Sequence, residues 1–141
     1  MPMRRKNLPT ERESSVQRSA VQILGSMGIM MWRRNVGAFH VQDRYIRCAK
    51  PGQSDLWGTD FHRLVESPGG WEWSRHWELE TKSHGKRPNP EQLAWLKAST
   101  DRGWVAYWGD NVDTIVRVAQ AILDGGQIVW HNDDSYHVEM R

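Results

Sequence analysis

The chain has 141 residues, a formal net charge of +2, nine tryptophans and one cysteine, Cys48. A chain of this length fits one domain that buries a core without cross-links, and a lone cysteine excludes an internal disulfide. No apolar run approaches the roughly 18 residues that span a bilayer. Residues 1–13 lack the apolar stretch of a signal peptide, so we expect a cytoplasmic protein with no membrane partner.

Helical periodicity begins after residues 1–10, which are predicted to be a flexible basic tail. Thr10 and Glu13 have the spacing of a capping box, and Gly28 is a plausible end of the helix. A helix is therefore predicted over residues 11–27, with its apolar face formed by Val16, Ala20, Ile23, Leu24 and Met27.

Strand-like runs follow in the middle of the chain. Residues 30–36 are predicted to form one strand, and residues 40–50 a further one. The runs at 56–65 and 71–82 flank the Ser-Pro-Gly-Gly turn at 67–70, so they are predicted to pair as a hairpin.

The last third of the chain resumes with helix signals. Asn89, Pro90 and Gln92 have the spacing of a capping box with proline in the first turn, and Gly103 suits the end of that helix. Further elements are predicted at 104–108 (strand), 111–124 (helix), and 127–130 with 136–140 (closing hairpin). The order predicts an α/β fold, a mixed sheet flanked by helices, over a single domain at 11–141.

The strand at 71–82 carries an unusual set of charges. Side chains alternate along a strand, so Glu78, Glu80 and Lys82 share one face. If the hairpin forms, Asp55 at the start of its first strand lies beside Glu80 and Lys82 at the end of the second. Two carboxylates are typical ligands of Mg²⁺, and a nearby lysine can stabilise charge on a phosphate.

These residues occur in an order that resembles the PD-(D/E)xK nuclease superfamily and, within it, the VRR-NUC (virus-type replication-repair nuclease) domain. The resemblance covers about residues 11 to 123 and depends on Gly52, Asp55, Leu56, Glu80, Thr81, Lys82, Gly85 and Gln92. The first helix fits it as well, with Glu13, Val16, Gln17, Leu24 and Gly28. It implies a restriction-endonuclease-like core, dependence on Mg²⁺ or Mn²⁺, and cleavage of DNA. A viral or mobile-element origin and a role in DNA repair or recombination are implied by the resemblance alone.

The resemblance also implies roles for individual residues. Asp55 and Glu80 would bind the metal with the backbone carbonyl of Thr81, and Lys82 would be the catalytic lysine. Gln92 would lie near the scissile phosphate, and Glu13 would be an acid of the first helix that reaches the metal. The sequence departs from the family at Ser54, where proline is expected, and at Glu78, which is either an extra ligand or a solvent-facing acid.

Several of these residues have structural explanations that need no site. Capping boxes fully account for Gln92 and Glu13, and a polar loop histidine such as His84 usually has no special role. Basic residues assigned to nucleic-acid binding are Arg33, Arg34, Lys86 and Arg87. Among the tryptophans, Trp32, Trp104 and Trp108 are predicted to pack the core, and Trp71, Trp73 and Trp77 to share one buried strand face.

The resulting hypothesis is a metal-dependent endonuclease acting on DNA, with selectivity for branched, nicked or flapped forms left open. A homodimer is a further hypothesis, because two sites could then address both strands. One alternative is a catalytically inactive DNA-binding module on the same fold. Another is a protein-interaction module that uses its tryptophan-rich face.

Overall fold

A computed structural model of the chain describes residues 12–34, 38–41, 44–47, 52–64 and 71–141. The described elements, in chain order, are α1 (Glu13–Ser26), β1 (Ile29–Arg33), β2 (Ala38–Val41), β3 (Arg44–Arg47), β4 (Leu56–Leu64), β5 (Trp71–Thr81), α2 (Pro90–Asp101), β6 (Val105–Gly109), α3 (Val112–Leu123), β7 (Gly126–Trp130) and β8 (Tyr136–Met140). The predicted basic tail at 1–10, the turn at 67–70 and Cys48 lie outside these residues.

Within the described residues, four strands form a mixed sheet in the order β1-β4-β5-β6. The first two pairings are antiparallel and the last, β5 with β6, is parallel, with α2 as the connection. The predicted hairpin of β4 and β5 is confirmed, and its register places Leu56 opposite Leu79. The start of β4 therefore lies beside the end of β5.

Helices cover both faces of this sheet, which confirms the predicted α/β architecture. On one face, Trp77 and Leu79 are fully buried in a core that includes residues of α1 and α3. The phenol of Tyr107 on β6 donates a hydrogen bond to the carbonyl of Ile115 on α3 (2.8 Å). Since side chains alternate, Glu78 and Glu80 point to the opposite face, where α2 packs.

The segment after β1 differs from the prediction. A single strand was expected over residues 40–50, whereas β2 and β3 are two short strands that pair antiparallel with each other. A short strand-like segment of mixed polar and apolar residues does not reveal whether it contains a reversal, because both halves have the same strand-like composition.

The start of α1 also differs from the prediction. Arg12 is the N-cap residue, with no capping hydrogen bond from its side chain, and Glu13 is the first helical residue. The proposed capping box of Thr10 and Glu13 is therefore wrong, although Thr10 itself lies outside the described residues. Glu13 is thereby left without the structural explanation that the sequence offered.

The other helix starts agree with the sequence. At α2 the Asn89 side chain accepts from the Gln92 backbone N–H, and the Gln92 side chain accepts from the Asn89 N–H, each at 2.9 Å. At α3 the side chain of Asn111 accepts from the backbone N–H of Thr114 (2.8 Å). Capping satisfies donors that a helix start leaves unpaired, reciprocally at α2 and through one hydrogen bond at α3.

The closing hairpin, β7 with β8, is confirmed and packs beside β6. The phenol of Tyr136 donates to the carbonyl of Trp108 (2.5 Å), and its ring lies 6.1 Å from that of Tyr107. The hairpin therefore covers the outermost strand of the sheet, which protects an edge that would otherwise be open to pairing. None of the helices in the described ranges has the length and apolar character needed to cross a membrane.

The tryptophans divide between core and surface. Trp77 is fully buried, as predicted, and its ring contacts Tyr107 edge-on at 6.2 Å. Trp104 and Trp108 are only partly buried. The prediction that Trp32 packs the core is wrong, because 42% of it is exposed. Among the described strands, β1 lies at the edge of the sheet and has a neighbouring strand on one side.

Candidate metal centre

The predicted acids meet at one end of the sheet, where β4 begins, β5 ends, and α1 and α2 both start. The chain enters this end through Gly52, whose φ of +86° favours glycine. A Cβ at Gly52 would lie 2.9 Å from the carbonyl oxygen of Glu91, in the first turn of α2. Glycine therefore allows the loop before Asp55 to pack against the start of α2.

Asp55 is buried and held by two neighbouring elements. Its Oδ1 accepts the backbone N–H of Thr81 (3.0 Å), and its Oδ2 accepts the Thr81 hydroxyl (2.5 Å) and the side-chain amide of Gln17 on α1. A carboxylate has about four lone-pair sites, and these contacts use three of them. Among the contacts described, one site on Oδ1 stays open to a cation.

Glu80 lies beside Asp55 and is also buried. Its Oε2 accepts the backbone N–H of Asp55 (3.1 Å), and its Oε1 accepts the side-chain amide of Gln92 (2.8 Å). The ammonium group of Lys82 lies 3.4 Å from the same Oε1. Gln92 therefore serves two purposes at once, since its carbonyl oxygen caps α2 while its amide nitrogen orients Glu80.

Glu13 completes a group of three carboxylates. One oxygen each from Glu13, Asp55 and Glu80 lies within 4.8 Å of the other two. Oxygens bound to one Mg²⁺ at about 2.1 Å are at most about 4.2 Å apart, so small side-chain adjustments suffice for a shared ion. Carboxylate oxygens suit Mg²⁺ or Mn²⁺ better than softer metals.

The electrostatics of the three acids favour a cation. Burial raises the pKa of Glu80 to about 8, with the charge of Asp55 as the next cause and Lys82 opposing both. Burial likewise raises the pKa of Glu13. It also raises the pKa of Asp55, although the hydrogen bonds from Thr81 oppose that rise. Carboxylates in such a group take up protons unless a cation compensates their charge.

Glu78 corrects one expectation, because it is neither a ligand of the centre nor a solvent-facing acid. It is fully buried, and the guanidinium of Arg34 contacts both of its oxygens, at 2.9 and 3.1 Å. The indole N–H of Trp95 on α2 donates to Oε1 (3.0 Å). Burial raises the pKa of Glu78, while Arg34 opposes that rise.

The residues assigned to nucleic-acid contact fall into two groups. Arg33, Lys86 and Arg87 are exposed. Arg34 is paired with Glu78 and also donates to the carbonyl of Ser54 (3.0 Å), so its internal contacts account for it without nucleic acid. Contact between any of the four and nucleic acid stays a prediction.

The structure leaves the predictions for His84 and Thr81 unchanged. His84 is exposed, and its Nδ1 lies 4.0 Å from Asp110. Thr81 contacts Asp55 through its N–H and its hydroxyl, and metal binding by its carbonyl stays a prediction.

Gln17 is the residue of the centre to which sequence reasoning gave no role. It lies one helical turn after Glu13, so the two share a face of α1. A glutamine next to the buried Val16, on a helix face that otherwise packs the core, is the signal that could have identified it.

Comparison with known proteins does not assign the chain. No protein-family model, no curated protein and no solved structure matches it significantly.

Proposed function

We propose that the protein is a metal-dependent endonuclease that hydrolyses DNA phosphodiester bonds. The observation that carries the proposal is the convergence of Glu13, Asp55 and Glu80 within the reach of one cation, with the ammonium of Lys82 beside them. Placing several carboxylates together in a buried position costs folding free energy. A group of this kind at the end of a sheet is therefore a candidate functional site.

A purely structural role for Asp55 explains fewer of the contacts in the candidate metal centre. If Asp55 only fastened the end of β5, it would need neither Glu80 nor Glu13 nearby, since each adds repulsion. The ion pair of Glu78 and Arg34 shows how this chain compensates a buried acid where no cation is required. At Glu80, by contrast, one lysine faces three carboxylates.

Each residue then has a chemical role. Asp55, Glu80 and Glu13 bind Mg²⁺ or Mn²⁺, which when bound activates water and stabilises charge on a phosphate. Lys82 orients the attacking water or stabilises the negative charge that develops on the phosphoryl oxygens. Gln92 holds Glu80 in place through the 2.8 Å hydrogen bond.

Metal binding by the acids and catalysis by Lys82 can be tested by incubating the protein with supercoiled plasmid and a four-way junction in Mg²⁺, Mn²⁺ or EDTA. We expect cleavage that requires the metal and falls by about 100-fold or more in Glu80→Gln and in Lys82→Ala. Calorimetric titration with Mn²⁺ should show weakened binding in Glu80→Gln and nearly unchanged binding in Lys82→Ala, because the lysine is not a ligand.

Lys97→Ala and Glu139→Gln are matched controls that remove the same charges away from the centre and should cleave normally. Metal-independent cleavage, or equal activity in Glu80→Gln and Glu139→Gln, would contradict the proposal. Salt-sensitive DNA binding without cleavage in any metal would favour the inactive DNA-binding module instead.

A further inference from the structure

A groove lies on the outer surface of α3 and includes side chains from α1 and β8. It has a volume of about 600 Å³, and we call its surface the α3 patch. The apolar side chains of the patch are Ile23, Met27, Val116, Ala121 and Met140. Ile23 and Met140 are two of the four exposed large hydrophobic side chains in the described part of the chain. Exposed apolar side chains that lie together are typical of a surface that binds protein.

Two opposite charges lie on this patch, symmetrically about one point of α3. Among the described residues that line the groove, Arg117 and Asp124 carry charge, and both are exposed. They are seven residues apart, which is about two helical turns or about 10.5 Å along the axis, so they share one face of the helix. The midpoint between them falls between Gln120 and Ala121. A two-fold axis that crosses α3 at this midpoint places each charge opposite its complement in a second copy of the chain.

The position of Asp124 within α3 also favours a cation from outside the helix. Asp124 is the C-cap residue, and the last turn of α3 has no basic residue. The end of a helix carries a partial negative charge, so a carboxylate there destabilises the helix unless a cation compensates it. The Oδ1 of Asp124 accepts from the side-chain amide of Gln120 (3.0 Å), which is a neutral donor. A guanidinium from a second copy would compensate the charge itself.

We propose that the α3 patch is the contact surface of a symmetric dimer of this chain, in which the two copies of α3 run antiparallel. Arg117 of each copy pairs with Asp124 of the other, and the two sets of apolar side chains cover each other. Ala121, beside the midpoint, has a small side chain, which allows the helices to approach to the about 8–10 Å typical of helix packing. A second copy is the partner that fits, because the chain already carries the complement of each charge at the required spacing.

The dimer does not depend on the proposed nuclease activity. Glu13 of the candidate metal centre lies ten residues before Ile23 on α1, which is about 15 Å along the helix axis. None of the described residues that line the patch belongs to the group of three carboxylates. Contact through the patch therefore does not use the acids of the centre, and failure of either proposal leaves the other intact.

Charge reversal tests the pairing, with sedimentation equilibrium of the full chain at about 1 to 100 µM as the measurement. We expect the apparent mass of the wild type to rise from 16.4 kDa toward twice that value as the concentration increases. Arg117→Glu and Asp124→Arg should each weaken dimerisation by about 10-fold or more, because like charges then face each other in both pairs. An equimolar mixture of the two variants should dimerise again, because both pairs in the mixed dimer join a carboxylate to a guanidinium.

Two further variants test the apolar part of the contact. Ile23→Lys should weaken dimerisation, whereas Met30→Lys should not, because Met30 is an exposed residue of β1 outside the patch. A folding defect would not explain a loss in Asp124→Arg, since a cation at the end of α3 favours the helix. Thermal unfolding at a concentration where the wild type is monomeric checks that this variant is as stable as the wild type.

Three results would overturn the dimer. A wild type that stays monomeric at every concentration would leave the patch to a different protein. A mixture of Arg117→Glu and Asp124→Arg that stays monomeric would show that the two charges do not pair across a two-fold axis. Equal losses in Ile23→Lys and Met30→Lys would show that the apolar contact is not made by the α3 patch.

Discussion

Glu78 and Glu80 lie two residues apart on the same face of β5, both nearly inaccessible to solvent, yet their surroundings differ. Glu78 faces one guanidinium and the indole N–H of Trp95, so its charge is balanced within the fold. Glu80 faces Asp55 and Glu13, and among the described residues Lys82 is the cation beside it. At the scale of single residues, Glu78 is therefore assigned to stability, whereas Glu80 stays a proposed metal ligand.

The pairing of Glu78 can be tested by removing its cation. Arg34→Met should lower the free energy of unfolding by about 3 kcal/mol at neutral pH, because it leaves the buried carboxylate with only the Trp95 indole and the His76 ring, 3.6 Å away, beside it among the described residues. The loss should shrink as the pH falls, since protonation of Glu78 removes the unpaired charge. Denaturant unfolding at several pH values measures both effects.

Arg33→Met is the control for that experiment, because it removes an exposed arginine next in the chain and should change stability by no more than about 0.5 kcal/mol. The double variant Arg34→Met with Glu78→Gln should recover much of the loss. A pH-independent loss in Arg34→Met would mean that the side chain contributes by packing against Trp95 and not by charge.

At the scale of elements, the N-terminal parts of α1 and α2 supply the side chains of the centre that the strands do not. Glu13 and Gln17 come from α1, and Gln92 comes from α2. The start of a helix carries a partial positive charge, which favours carboxylates nearby. The N-terminal parts of the two helices therefore supply the side chains that hold Asp55 and Glu80 in place.

Loss of the α2 cap should affect both stability and the centre. Asn89→Ala removes the acceptor for the Gln92 N–H and should cost about 1 kcal/mol of folding free energy. It should also weaken Mn²⁺ binding, because Gln92 then holds Glu80 less firmly. Thermal unfolding and calorimetric titration measure the two effects.

Asn111→Ala removes the equivalent cap of α3 and provides the comparison. It should lower stability by a similar amount and leave Mn²⁺ affinity unchanged. If both variants weaken Mn²⁺ binding equally, the loss of affinity comes from lower global stability, and the proposal that Gln92 positions Glu80 is wrong.

At the scale of the whole molecule, the sheet brings distant parts of the chain to one end. Asp55 and Glu80 are 25 residues apart in sequence, and α1 supplies Glu13 from a further 42 residues upstream of Asp55. The metal-free protein therefore concentrates negative charge at one end of its fold. That concentration predicts a pH-dependent stability.

The sign of this dependence follows from the raised pKa values. The folded pKa of Glu80, about 8, lies above its ordinary value of 4.5, so its contribution to stability is complete below pH 4.5 and is lost as the pH rises through 8. In EDTA, the melting temperature of the wild type should therefore fall, relative to Glu80→Gln, from about pH 4.5 to about pH 8, and the difference should level off above that pH. Mg²⁺ should reduce the difference and stabilise the wild type more at high pH, because protons compete less for the ligands.

Differential scanning calorimetry across this range, with and without Mg²⁺, makes the measurement. Glu139→Gln, which removes an exposed carboxylate, controls for net charge. If the melting temperatures of wild type and Glu80→Gln depend on pH in the same way in EDTA, the pKa of Glu80 is not raised in the folded state and the prediction is wrong.

Much of the fold and the main residues of the centre were predictable because their signals are local. Strand alternation placed Glu78 and Glu80 on one face, and the turn at 67–70 implied the hairpin that brings Asp55 to Glu80. Capping chemistry located the start of α2, and the helical spacing of apolar residues predicted α3. The partners of Arg34, the exposure of Trp32 and the pairing of β2 with β3 were not predictable, because each depends on which segment lies alongside.

The sequence by itself determined the order and type of the main elements, since hydrophobic period and capping residues act within a few positions of the chain. Only the tertiary structure decided that Glu13 faces the centre while Glu78 is neutralised by Arg34, and that Gln92 both caps a helix and orients Glu80. The physical reason is that the charge, burial and hydrogen bonds of a side chain are set by neighbours distant in sequence. Such contacts leave no local pattern from which they can be read.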